Sequence, residues 1–183
     1  MATPPDITPD YFQILAVREL RKVGFDVGAA RIHRRSELAE PQHGFVLELV
    51  APLAASGWHR LTLVACRRED GAVTREVIES LAGRLGDAGA DAAIVFSTAD
   101  FGAEAVAAAQ DRNVALLRVV DSHTAYDASG WGGTPGHYPA WLPAHTAELI
   151  VRDAAGQVRT AALEPGRVET IVDQLDRDSN RGA

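Results

Sequence analysis

The sequence predicts an α/β fold in which helices cover both faces of a central mixed sheet. Two apolar runs, FVLELVAP and HRLTLVAC, are joined by the turn-forming segment Pro52–Gly57, and this arrangement predicts a hairpin. Two further runs, DAAIVFS and VALLRVV, are short and continuously apolar, as is typical of buried strands. Because helical patterns separate these later runs, we expect parallel strands connected by helices.

The remaining elements can be predicted in chain order. Thr8 is a suitable N-cap, Pro9 suits the first helical position, and Gly24 closes this first helix. A strand is then expected around Phe25–Ile32, followed by a polar loop that extends through Glu40. We further expect strands near 45–51, 59–66, 91–97 and 114–120, and helices over 73–88 and 101–112.

The regular pattern stops after Asp121 in a segment rich in glycine, proline and aromatic residues, DSHTAYDASGWGGTPGHYPAWLP. A loop of this length is usually functional or mobile. After it, AELIVRD and VRTAALE predict a second hairpin, and Pro165 is expected to open a final helix. We therefore predict one domain with a core over 1–121, a loop over 122–143, and a C-terminal hairpin and helix over 144–178.

Composition narrows the classes of function. The formal net charge is −7 and the pI is about 5.3, which argues against a general nucleic-acid coat but leaves a local basic patch open. One cysteine, Cys66, excludes an internal disulfide and cysteine-based zinc frameworks. No apolar run is long enough to span a membrane, and the N-terminus lacks the pattern of a secretory signal. We therefore expect a cytoplasmic protein without a membrane partner.

Four segments resemble the restriction-endonuclease-like superfamily, whose motif is PD-(D/E)-x-K, and the Mrr-type branch fits best. They are RELRKVGF at the end of the first helix, FVLELVAP, LTLVACRRE and AGADAAIVFSTADFGAEAVAAAQDRNVALLRVVD. The second is similar to the strand that carries the family's first metal-binding acid, and the third to the strand that ends in V-E/Q-C-K-R. The resemblance covers roughly residues 8–121 and implies a three-layer core around a mixed sheet.

In that family, two carboxylates hold Mg²⁺, and a lysine helps the metal to activate water and to stabilise the phosphate. The resemblance places the first acid at Glu48, the second at Ala65 and the lysine at Arg67. An acid often found on the first helix falls on Gln13. Alanine offers no ligand atom, and arginine stays protonated, although it can still pair with phosphate. The resemblance therefore implies a catalytically degenerate site, which we expect to need no cofactor.

Three classes of function stay open. The first is a degenerate endonuclease-like module that binds a protein partner, a second copy of the chain or nucleic acid, in defence or DNA processing; the acidic net charge favours a protein partner. The second is an active Mg²⁺-dependent DNA endonuclease in which an acid such as Glu69, Glu76 or Glu79 replaces the missing ligand. The third is an unrelated α/β scaffold.

The candidate residues also have simpler interpretations. Glu48 is either a solvated or ion-paired acid or a remnant metal ligand, and we expect it to lie close enough to Arg67 to pair with it. Arg67 and Arg68 either end a strand in solvent or contact phosphate or a partner. Cys66 fits a small buried hydrophobe. The aromatic residues of the loop either anchor an interface or cover the edge of the sheet: Trp131, Tyr138 and Trp141.

Overall fold

The predicted α/β architecture with a central mixed sheet is confirmed by the structure, a computed structural model that describes residues 6–38, 44–130, 134 and 136–177. Within these residues the strands are β1 (Asp26–Val27), β2 (Arg31–Glu37), β3 (Phe45–Ala55), β4 (Trp58–Arg68), β5 (Ala92–Ser97), β6 (Val114–Asp121), β7 (His145–Arg152) and β8 (Val158–Ala162). The helices are α1 (Pro9–Val23), α2 (Arg75–Gly83), α3 (Leu85–Ala88), α4 (Ala103–Asp111), α5 (Ser122–Ser129) and α6 (Glu169–Leu175).

All eight of these strands belong to one sheet with the order β1-β3-β4-β5-β6-β7-β8, and β2 pairs with the same strand, β3, as β1 does. The pairs β4–β5 and β5–β6 are parallel, as the intervening helices predict, and the other pairs are antiparallel. The predicted hairpin forms β3 and β4, with Glu48 directly opposite Ala65. The C-terminal hairpin forms β7 and β8 and extends the sheet beyond β6.

Helices cover the two faces of the sheet and produce three layers. On one face, α1 and α6 pack on strand residues such as Leu47, Cys66 and Phe96. On the other face, α2 and α4 pack on residues such as Ala65 and Val95. Ile78 and Leu81 of α2 are buried, as their helical spacing predicts.

Helix α1 is capped at both ends and is also held to the sheet by a buried acid, Glu19. The Thr8 hydroxyl accepts a hydrogen bond from the backbone N–H of Tyr11 at 3.2 Å, and Gly24 adopts a φ of 113° that a residue with a side chain rarely adopts. Glu19 is buried, and its carboxylate accepts hydrogen bonds from Lys22 at 2.6 Å and from Thr146 of β7 at 3.0 Å. Lys22, the only lysine of the chain, and Arg18 thus both form ion pairs with the buried acid that joins α1 to β7.

Two predictions between the first helix and the hairpin need correction. The strand expected at 25–32 is divided into the two-residue β1 and a separate β2, and most of the predicted polar loop is strand. Strand β2 is RIHRRSE, and its residues are exposed except for Ser36. It has no apolar pattern because it lies at an edge of the sheet, where backbone hydrogen bonds to β3 hold it.

The interruption after Asp121 is also shorter than predicted. Helix α5 occupies its first eight residues, and the Asp121 carboxylate caps it by accepting a hydrogen bond from the Thr124 N–H at 2.9 Å. The final helix begins at Glu169 rather than at Pro165. None of the helices in the described part of the chain has the length and apolar character needed to cross a membrane.

Candidate active site

The structure brings Glu48, Ala65 and Arg67 to one face of the sheet. Glu48 of β3 pairs in register with Ala65 of β4, and Arg67 lies two residues further along the same strand. Side chains two apart on a strand share a face, so all three point toward α2. They border a cavity of about 220 Å³ whose lining residues are Glu48, Ala65, Arg67, Glu76, Val77, Ser80, Leu81, Arg84 and Val95.

Glu48 is paired with an arginine that the sequence did not single out. Its side chain is 2% exposed and accepts a short hydrogen bond through Oε1 from Nη2 of Arg84, at the end of α2. Arg84 also donates from Nη1 to the Ser80 hydroxyl at 2.6 Å. Oε2 of Glu48 and Nε of Arg84 are buried without a hydrogen-bond partner among the described residues. The buried carboxylate is therefore held by one guanidinium at the border of the cavity.

The prediction that Arg67 pairs with Glu48 is wrong. Arg67 and Glu48 lie on adjacent strands, as expected, but Arg67 forms a bidentate pair with Glu69 at 2.6 and 3.0 Å. Both side chains of that pair are 14% exposed. The backbone of Glu69 is in turn fixed by Thr98, whose hydroxyl accepts from its N–H at 3.0 Å. Arg67 has a nearer acid, just past the end of its own strand, and Glu48 is left to Arg84.

The three acids considered as replacements for the missing ligand have different positions. Glu69 is engaged with Arg67, and Glu79 pairs with Arg75 at 2.8 Å without lining the cavity. Glu76 does line the cavity. The pKa of Glu76 lies below its ordinary value because the Thr74 hydroxyl donates to its carboxylate, helped by its own backbone N–H. Glu76 is thus an ionised acid that is bonded to the first turn of α2.

These residues do not fit a magnesium ion. Mg²⁺ is usually held by carboxylate oxygens together with water in an octahedral shell, whereas Ala65 offers no ligand and Glu48 already binds a guanidinium. Among the residues that the structure describes, no group of three or more histidine, cysteine, aspartate or glutamate side chains is placed to hold a metal. The cavity is thus bordered by arginine and glutamate side chains, with Ala65 at the position that the resemblance assigns to the second acid.

The remaining residues of the predicted motif lie outside the cavity. Arg68 pairs in register with Phe45, so alternation along β4 directs it to the face opposite Arg67. Cys66 also lies on that opposite face, fully buried, and burial raises the pKa of its thiol well above the ordinary range. It is a small core hydrophobe rather than a nucleophile. Gln13 belongs to α1, which packs on the same opposite face, and it does not line the cavity.

Of the three aromatic residues proposed as contacts, Trp131 lies outside the described residues. Tyr138 is half-buried and stacks on His123 with a centroid distance of 4.0 Å. Its hydroxyl donates to Asp127 at 2.6 Å, and this hydrogen bond raises the pKa of Tyr138. Trp141 is 75% exposed. Tyr138 therefore covers part of the chain's own surface, whereas Trp141 faces solvent.

The three-layer α/β fold with a central mixed sheet is consistent with the restriction-endonuclease-like class of proteins. The sequence model of the restriction endonuclease family, in its Mrr-type catalytic form, matches residues 5–122. Because this match covers more than half of the 183 residues, the chain belongs to that family. No curated protein and no solved structure gave a significant match.

Arg84 is the site residue that the sequence interpretation missed. It lies seven residues after Val77 and three after Leu81, which is the spacing of residues on one face of a helix. Val77 and Leu81 both line the cavity. An arginine on this otherwise apolar side of α2 was the feature of the sequence that could have predicted an acid on the sheet beneath the helix.

Proposed function

We propose that this chain is a restriction-endonuclease-family domain that binds nucleic acid without cutting it. The observation that carries the proposal is the ion pair between Glu48 and Arg84. Glu48 is the family's first metal-binding acid by motif position, and the Arg84 guanidinium supplies the positive charge that a metal would otherwise bring to it. With Ala65 at the position of the second acid and Glu48 bound to Arg84, neither of the two strand positions offers a free carboxylate to a metal.

The charges around the cavity support binding rather than protein stability alone. Arg84 lines the cavity, and its side chain is 30% exposed. Strand β2, next to β3, carries the exposed arginines Arg31 and Arg34, which pair in register with Val50 and Glu48 of β3. Arginine is well suited to phosphate because its planar guanidinium donates two parallel hydrogen bonds. We infer that a local basic surface overcomes the net negative charge, in a reducing compartment such as the cytoplasm.

The recognition part of this proposal is tested by equilibrium binding. In EDTA, a short fluorescein-labelled DNA duplex is expected to bind with micromolar affinity at low salt and to dissociate as salt is raised, because released counterions drive such contacts. Fluorescence anisotropy measures the affinity, and electrophoresis of the same samples checks that the DNA is intact. Anisotropy that stays at the value of free DNA at all protein concentrations would contradict nucleic-acid recognition.

A second candidate function is an active Mg²⁺-dependent endonuclease, and the position of Glu76 favours it. Glu76 lines the same cavity as Glu48 and Arg67, so a rearrangement that released Glu48 from Arg84 would leave two carboxylates beside one cavity. Mg²⁺ would then be the cofactor. Measurement of plasmid cleavage with and without Mg²⁺ distinguishes this enzyme from a domain that only binds nucleic acid.

We also propose that Trp141 and the C-terminal hairpin bind a second copy of the chain. The Trp141 indole is 75% exposed, and all five residues of the edge strand β8 are exposed. Exposed indoles and open strand edges are frequent in protein interfaces. Sedimentation velocity of the wild type is expected to show a mass that rises with concentration, and the Trp141→Ala variant a smaller rise. A monomer mass for both proteins at every concentration would rule out this self-association.

A further inference from the structure

The strand β2 carries a bulge that changes which of its side chains share a face. Arg31 pairs in register with Val50 and Ile32 with Leu49, whereas Arg34 pairs with Glu48, so the register shifts between Ile32 and Arg34. In a regular strand, residues three apart point to opposite faces. The extra residue of the bulge instead places Arg31 and Arg34 on the same face, the one that carries Glu48.

The two faces of β2 consequently differ in charge. Ser36 pairs with Val46, two residues before Glu48, so the cavity face of β2 presents Arg31, Arg34 and Ser36, which we call the basic strip. The opposite face presents Ile32, Arg35 and the acid Glu37. The basic strip contains two cations, one hydroxyl and no carboxylate. In the described part of the chain, neither of its arginines forms an ion pair.

We propose that the basic strip binds the phosphate backbone of one strand of duplex DNA and leads it past the mouth of the Glu48 cavity; this inference rests on the proposed function. Arginine and serine side chains are common donors to phosphate oxygens. The strip pairs with alternate residues of β3 and is about 13 Å long, at about 3.3 Å per residue. That length equals the rise of about four nucleotides of one strand when it is measured along the helix axis, at about 3.4 Å each.

Duplex DNA suits the basic strip better than a single strand does. Proteins that bind single strands combine cations with aromatic side chains on which the bases stack. The residues of β2 are RIHRRSE and include no phenylalanine, tyrosine or tryptophan. A row of donors on a rigid sheet edge is instead complementary to the regular phosphate spacing of a duplex.

Single substitutions of neighbouring arginines test the proposal. In the anisotropy assay, Arg34→Ala is expected to weaken duplex binding about tenfold and to lower the slope of log affinity against log salt by about one. Arg35→Ala is the matched control, since it removes the same charge from the opposite face, and its affinity is expected to stay within about twofold of the wild type. The double variant Arg31→Ala, Arg34→Ala is expected to lower the slope by about two. Circular dichroism checks that each variant is folded.

The outcomes separate this inference from the proposed function. Wild-type binding that Arg31→Ala, Arg34→Ala leaves unchanged overturns the basic strip and keeps nucleic-acid recognition. Equal losses for Arg34→Ala and Arg35→Ala overturn the assignment to one face. Tighter binding of a single strand of the same length overturns the choice of duplex. A wild type that binds neither form overturns the inference together with the recognition part of the proposed function.

Discussion

Replacement of Arg84 by alanine is expected to lower the free energy of unfolding by about 2–3 kcal/mol. The substitution leaves the Glu48 carboxylate, which is 2% exposed, without its ion-pair partner. Removing one partner of a fully buried pair costs about 3–5 kcal/mol. Because Arg84 itself is 30% exposed and water reaches that side of the pair, we expect a smaller loss. Urea denaturation at neutral pH measures it.

The same helix provides the matched control. Arg75 pairs with Glu79 at 2.8 Å, with both side chains at least 36% exposed, so Arg75→Ala is expected to lower the free energy of unfolding far less than Arg84→Ala does. The double variant Glu48→Leu, Arg84→Leu removes both charges and is expected to be more stable than Arg84→Ala. If Arg84→Ala lowers the free energy of unfolding no more than Arg75→Ala does, Arg84 does not stabilise a buried charge on Glu48. The proposal that Arg84 takes the place of a metal at Glu48 then fails.

The central part of the fold was predictable because its signals are local. Strands β3 to β6 are short apolar runs, and the helices between them carry apolar residues such as Ile78 and Leu81 at helical spacing. These patterns reflect burial between two layers of helices, which leaves little room for polar residues. The confirmed strands and helices are therefore those that have one or two faces in the core.

The elements that were not predicted, β2 and α5, are stabilised by contacts with neighbouring residues and have no apolar pattern of their own. Strand β2 is polar apart from Ile32, and it forms a strand because it makes backbone hydrogen bonds to the edge of β3. Helix α5 contains few apolar residues and depends on the Asp121 cap and on Gly130, whose φ is 70°. A periodicity argument has no apolar repeat to detect in either segment.

The same contrast applies to the candidate site. The hairpin between the two apolar runs was sufficient to predict that Glu48 and Arg67 lie on adjacent strands. The register that pairs Glu48 with Ala65 follows from the actual turn at residues 56–57, which is shorter than the predicted connection Pro52–Gly57. The choice of partner for Glu48 was not predictable in this way. It depends on where the last turn of α2 lies over the sheet, which places Arg84 on Glu48 while Glu69 binds Arg67.

Wild-type protein is expected to show no cleavage of plasmid DNA with Mg²⁺ or Mn²⁺. A metal-dependent nuclease needs ligands that fix the ion and a group that helps to activate water. Here Ala65 supplies no ligand and Arg84 binds the acid that is present. Losing this metal contribution removes several kcal/mol of transition-state stabilisation, which lowers the rate by a factor of about a thousand or more.

The most direct test of the account is the single-turnover cleavage of supercoiled plasmid by wild type, Glu48→Gln and Glu76→Gln, each with Mg²⁺, Mn²⁺ or EDTA. We expect all three proteins to leave the plasmid supercoiled to the same extent in metal as in EDTA. Metal-dependent nicking by the wild type that both Glu48→Gln and Glu76→Gln abolish would contradict it. The chain would then be an active endonuclease in which Glu76 supplies the second acid.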